Sequence, residues 1–147
     1  MRREDVTEMV LNAKASKGLS WSALAKSAGR SEVWTTSALL GQQAMSKEEA
    51  AGCGTLLGLG VEEMAMLQVP PSKGSLAAAV PTDPLIYRFH EVVQVYGTTL
   101  KELIHEQFGD GIMSAIDFEM NIERVPDPKG DRVKVTMHGK FLPYRKW

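Results

Sequence analysis

Apolar positions recur along this chain with two different periods, and the change between them divides it. To about Gln68 they fall at helical spacing between short breaks. Val6, Met9, Val10 and Ala13 mark a first helix, which Gly18 ends. Ser20 caps a second, with Trp21, Leu24 and Ala25 turned inward, and Gly29 stops it. Ser31 caps a third carrying Val33, Trp34, Ala38 and Leu39, stopped by Gly41. Ser46 followed by Glu48 and Glu49 starts a fourth, with carboxylates at the positive end of the helix dipole. Leu56, Leu57 and Leu59 lead to a short last helix near Val61–Leu67. The pattern predicts a five-helix bundle.

Over Val69–Pro84 the pattern lapses. Pro70, Pro71, Gly74, Pro81 and Pro84 interrupt regular structure, and Ser72, Lys73 and Ser75 are polar, so this stretch reads as a connection. It separates a helical domain with its linker, 1–80, from a second domain, 81–147. In the second, Asp83 and Pro84 open a helix as N-cap acceptor and first-turn proline. Leu85, Phe89, Val92, Val93 and Tyr96 line one face, and Gly97 is expected to end it. Thr99 with Glu102 has the form of a capping box for another helix, through Leu100, Leu103, Ile104 and Phe108 to Gly109. The period then falls to two. Ile116, Phe118, Met120 and Ile122 alternate with Asp117, Glu119, Asn121 and Glu123. After the turn-rich Pro126–Asp131, Val133, Val135 and Met137 alternate with polar neighbours. The two runs predict a β-hairpin, and the whole chain an α+β fold.

Two helices and a hairpin make a poor core for a domain of this size, because an isolated two-stranded hairpin is marginal in water. Its apolar face needs a cover. The bundle is one candidate, but the proline-rich connection favours a second copy of the same segment, and a homodimer or larger oligomer is expected.

Composition narrows the class. Of 147 residues, 44% are hydrophobic and 24% charged, with a formal net charge of -1, so nothing favours a polyanion as partner. A single cysteine, Cys53, leaves no intramolecular disulfide or cysteine metal cluster. The N-terminus turns acidic at Glu4 and Asp5 rather than apolar, and no apolar run approaches the roughly 20 residues that span a bilayer. A soluble protein of the cytoplasm is expected.

Trp21 to Gln42 has the outline of a helix-turn-helix (lambda-repressor-like), with small Ala25 at the close approach and Gly29 at the turn. A DNA-binding regulator with a C-terminal oligomerisation domain is therefore the alternative reading. Its chemistry is thin. The second helix opens Ser31-Glu32-Val33-Trp34-Thr35-Thr36, with Arg30 as its near cation and Glu32 opposing phosphate. Residues 1–80 hold eight Lys/Arg against eight Asp/Glu, leaving no surplus to neutralise phosphates.

In the second domain, Arg88 and Glu91 stand three apart on a helix and flank the apolar stripe. Read alone they are an ordinary surface ion pair. Ser114 follows the turn Gly109-Asp110-Gly111, a setting that can present N–H groups and a hydroxyl to an anion, or simply begin a strand. No nucleophile-elbow pattern is present. His90, His105 and His138 form no triad order or metal spacing, and His90 and His105 read as helix-surface residues.

The segment PTDPLIYRFHEVVQVYGTTLKELIHEQFGDGIMSAIDF, from Pro81 to Phe118, resembles the C-terminal domain of the cyanases (cyanate hydratases, or cyanate lyases). The N-terminal helices and the ending Gly139-Lys140-Phe141-Leu142-Pro143-Tyr144 extend the likeness over almost the whole chain. The resemblance implies that cyanate and bicarbonate are the substrates, that neither metal nor organic cofactor takes part, and that carbamate and carbon dioxide are formed. It places the family's catalytic arginine, glutamate and serine on Arg88, Glu91 and Ser114, and His90 where some members carry tyrosine. It further implies a homodecamer built from dimers, with active sites at subunit interfaces.

Overall fold

A computed structural model describes residues 1–74, 76 and 78–146. Ser75, read above as part of the connection, lies outside the described residues. The chain forms two compact units, Met1–Ser75 and Leu76–Trp147.

The first unit holds five helices: α1 (Arg3–Ser16), α2 (Trp21–Ala28), α3 (Glu32–Leu39), α4 (Lys47–Leu57) and α5 (Val61–Met66). Their starts are set by the expected side chains. Ser20, Ser31 and Ser46 accept the N–H groups of Ala23, Trp34 and Glu49, and Glu49 returns a bond to the Ser46 N–H. Between α2 and α3, Gly29 takes φ 67° and ψ 28°, a left-handed conformation that a side chain would strain. Val6, Val10, Leu24, Ala38, Leu39, Met45, Ala50, Cys53, Leu57 and Leu67 form one buried core. Each large aliphatic in it contributes roughly 1.5–3 kcal/mol of burial. The Cys53 thiol is in that core and donates to the Leu24 carbonyl at 3.5 Å; burial pushes its pKa up, away from reactivity.

Two polar groups in this core bear on the helix-turn-helix reading. Glu49 is buried, and Arg30 reaches it at 2.5 Å. Burial opposes the carboxylate, but the Ser46 N–H and the Arg30 guanidinium outweigh it and hold Glu49 below its usual range. Arg30 also lies over the Trp34 ring, 5.0 Å from its centre. The cation expected near α3 thus spends its Nε on Glu49 and one face of its guanidinium on Trp34.

The second group is Thr35, fully buried on α3, whose Oγ1 has no hydrogen-bond partner among the described residues. A buried hydroxyl left unpaired costs about 1–3 kcal/mol. Thr35→Val, close in shape and helix propensity, should therefore raise stability by about 1 kcal/mol. Thermal or urea denaturation checks this, and a lowered midpoint would show that Thr35 has a partner in solution.

The second unit consists of α6 (Pro84–Phe108), β1 (Gly111–Val125) and β2 (Arg132–Pro143). The expected break at Gly97 does not occur. One 25-residue helix runs through Gly97, Thr98 and Thr99, so Thr99 is not a cap. A mid-helix glycine costs only about 1 kcal/mol, whereas a break strands carbonyls on one side and N–H groups on the other. The true ends are firm. Asp83 accepts from the N–H groups of Leu85 and Ile86, both at 2.9 Å, and Gly109 at φ 91° closes the helix.

The hairpin is antiparallel and longer than the alternation predicted, pairing Gly111 with Pro143 at one end and Val125 with Arg132 at the other. Phe118, Met120, Ile122 and Arg124 pair with Gly139, Met137, Val135 and Val133, which sets their side chains on one face. Ile116 does not join them. It lies within the break in register between Met113 and Phe118 and is 94% exposed. No residue of α6 is buried. No helix among the described residues is long and apolar enough to cross a membrane.

Candidate functional site

Arg88 and Glu91 stand on the first turns of α6, behind the Asp83 cap. The guanidinium donates through Nη1 to Glu91 Oε2 across an i,i+3 spacing. The pair is open to solvent, at 68% and 40% side-chain exposure, so its value is to aim the guanidinium rather than to stabilise the helix. Exposed Leu85, Phe89 and Val92 surround it, placing the charges at the margin of an apolar stripe as the sequence suggested. His90 is occupied on the same helix, with Gln94 at 3.1 Å and the Tyr87 ring 5.9 Å away.

Ser114 sits in a different setting. Between the pairs Met113–Phe141 and Phe118–Gly139, residues 114–117 of β1 face the single residue Lys140 of β2. The excess arches out of the ladder as a bulge larger than the usual two residues against one. Ser114 holds the arch from inside. It is 6% exposed, and its Oγ accepts the N–H groups of Ile116 at 3.1 Å and Asp117 at 2.9 Å. A serine hydroxyl has two acceptor lone pairs and one proton. Both lone pairs are engaged, so the proton is what remains to offer.

The strand that carries Ser114 is fixed to the end of α6. His105 Nε2 lies 3.1 Å from the Gly111 carbonyl and Nδ1 3.4 Å from Asp110. The Phe108 and Phe141 rings stand 5.3 Å apart, and Tyr144 meets the His105 ring edge-on at 6.5 Å. His105 is thus not the helix-surface residue that the sequence suggested. It closes the junction at 21% exposure.

Arg88 and Ser114 make no contact with each other in one chain. Arg88 is roughly 30 Å along the helix axis from Phe108, where the hairpin begins. The Ile116 and Asp117 amides, and Gly139 opposite the bulge, were not singled out from the sequence. Gly139 carried a usable signal, since a glycine inside an alternating strand marks a bulge or a close backbone approach. Among the described residues no three His, Cys, Asp or Glu side chains converge in a way that could hold a metal ion.

Comparison with known proteins covers both units. Residues 3–71 match the family model described as cyanate hydratase, N-terminal, and residues 78–146 match the cyanate lyase C-terminal domain. The cyanate hydratase of Ralstonia pickettii (strain 12J) is 60% identical over 147 residues, the full length of both chains. That of Albidiferax ferrireducens is 58% identical over the same span. The crystal structure of cyanase from T. urticae superposes with a TM-score of 0.82 at 40% identity, covering 94% of this chain and 96% of that one. By these matches, over both units and at full length, the chain belongs to the cyanate hydratase family.

Proposed function

We infer that this chain is a cyanate hydratase, a lyase that decomposes cyanate with bicarbonate. Bicarbonate oxygen attacks the cyanate carbon, and the adduct, with one proton taken up, loses carbon dioxide to leave carbamate. Carbamate takes a second proton and falls to ammonia and carbon dioxide. The substrates carry one negative charge each, so their adduct needs positive charge and hydrogen-bond donors. Arg88 supplies the charge and a two-pronged donor for carboxylate-like oxygens. Glu91 orients Arg88 and is the group placed to pass protons. Ser114 supplies a fixed O–H. The observation that carries this assignment is the Ser114 hydroxyl, whose lone pairs are both held by backbone N–H groups. That favours a donor to an anion over a nucleophile. Much of the acceleration then comes from holding two small anions in reactive geometry.

The site is proposed to form between chains. One chain leaves Leu85, Phe89, Val93, Tyr96 and Leu100 exposed along α6, and Ile122, Val133 and Met137 exposed on the hairpin. Neither face is stable in water uncovered, and further copies of the chain are the proposed cover. Association would also unite Arg88 and Ser114 of different subunits and gather more than one arginine about the adduct. A decamer built from dimers is the proposed assembly.

Ammonia release from cyanate by the purified protein, with and without added bicarbonate, tests the activity. Bicarbonate-dependent release is expected, and none from well-folded protein would refute it. Light scattering on the same sample tests the assembly, and a 16.1 kDa monomer that retains activity would refute the shared site.

A further inference from the structure

We propose that Gly139 is a positioning residue for this reaction, holding open the space into which the Ser114 arch folds. This inference rests on Ser114 being the hydrogen-bond donor proposed above. Gly139 lies on β2 opposite Phe118, at the end of the bulge. Its φ is an ordinary one, so conformational freedom does not explain the glycine. Space does. A Cβ built there falls far inside 3.0 Å of the Ser114 carbonyl oxygen, 2.9 Å from Met113 Cγ and 3.3 Å from the Asp117 carbonyl oxygen. Met113 can swing aside, but the two carbonyls belong to the backbone at the first and last residues of the arch. A side chain at 139 must therefore push the Ser114 peptide away by roughly 1 Å, a displacement on the scale that can cost 10²-fold in rate.

The ladder itself has little to lose. Gly139 still pairs with Phe118, and the pairs from Met120–Met137 to Val125–Arg132 lie beyond the contact. The arch bears the strain, because its closure depends on the two N–H bonds to Ser114 Oγ. Moving the Ser114 carbonyl moves its Cα, and with it the hydroxyl.

The test is a cycle of Gly139→Ala and Ser114→Ala, each assembled and assayed for ammonia release at saturating cyanate and bicarbonate. Gly139→Ala is expected to lower kcat about tenfold or more, with KM moving less. In the Ser114→Ala background the same change should cost less than about twofold, because there is no hydroxyl left to misplace. A glycine that only supports the fold would reduce kcat by the same factor in both backgrounds, and that result overturns the proposal. So does Gly139→Ala with wild-type kcat. Wild-type kcat in Ser114→Ala alone would mark the failure of the serine's role, and with it of anything said to position it. Should Gly139→Ala not assemble, trimethylamine N-oxide is added to favour the compact state. Full kcat in the restored protein overturns the proposal, as does a variant that no osmolyte restores, since the glycine then holds the fold rather than the serine.

Discussion

Replacing Arg88 with lysine should lower kcat/KM for cyanate by about 10²-fold, and with alanine by about 10³-fold or more. Lysine keeps the charge. It does not keep the planar fork, which can donate to Glu91 on one edge while presenting its other N–H groups to an anion. In the native chain the Glu91 bond sets the plane of the guanidinium. A lysine ammonium can satisfy the carboxylate or the anion, but it fixes no plane for both. Alanine adds a second penalty, because it leaves Glu91 as a bare carboxylate beside two anionic substrates. Arg88→Ala with Glu91→Ala should therefore bind cyanate better than Arg88→Ala alone, with a lower KM and no recovery of kcat. Steady-state rates with each substrate varied in turn separate these effects, with light scattering to establish that every variant assembles. Full activity in Arg88→Lys would make Arg88 a point charge only. Full activity in Arg88→Ala would move the anion site elsewhere.

The ion pair was legible from spacing, because three residues on a helix fix two side chains as neighbours whatever the rest of the fold does. The caps were legible for the same reason. Ser20, Ser31, Ser46 and Asp83 act on N–H groups two or three residues away, and Gly29 on its own backbone. Three features were misread. His105 was taken for a helix-surface residue, but its ring meets Asp110 and the Gly111 carbonyl past the end of the helix. Gly97-Thr98-Thr99 carries a stop and a start in immediate succession, each worth about 1 kcal/mol, and continuing the hydrogen-bond ladder outweighs both. The bulge was hidden by its own composition. Ile116 and Phe118 continue the alternation on paper, but the register slips between Met113 and Phe118 against Gly139 on the other strand. Nothing near Ser114 in sequence shows that glycine. The serine's role therefore came from the family resemblance, while its two N–H bonds, which bear on how it acts, appear only once the strands are paired.

Those two bonds lead to the second large effect. Ser114→Ala should lower kcat about 10²–10³-fold, the usual cost of losing one fixed donor to a developing anion, with a smaller change in KM. Alanine removes the one proton the hydroxyl has to offer and leaves the Ile116 and Asp117 amides without their acceptor, so these two should also exchange hydrogen faster. Cysteine separates the roles that serine can play. A thiol is a stronger nucleophile than a hydroxyl but a poor hydrogen-bond donor. If Ser114 attacked cyanate, Ser114→Cys would keep substantial activity and show a burst of covalent intermediate in the first turnover. As a donor, Ser114→Cys should fall nearly as far as alanine and show no burst. Threonine retains the hydroxyl but adds a methyl group at a position only 6% exposed. It should recover part of kcat only where the arch makes room for that methyl. Rapid-quench single turnovers on the three variants decide the matter: a burst in the cysteine enzyme would make Ser114 a nucleophile, and losses in the order alanine, cysteine, threonine, with no burst, would make its proton the catalytic group.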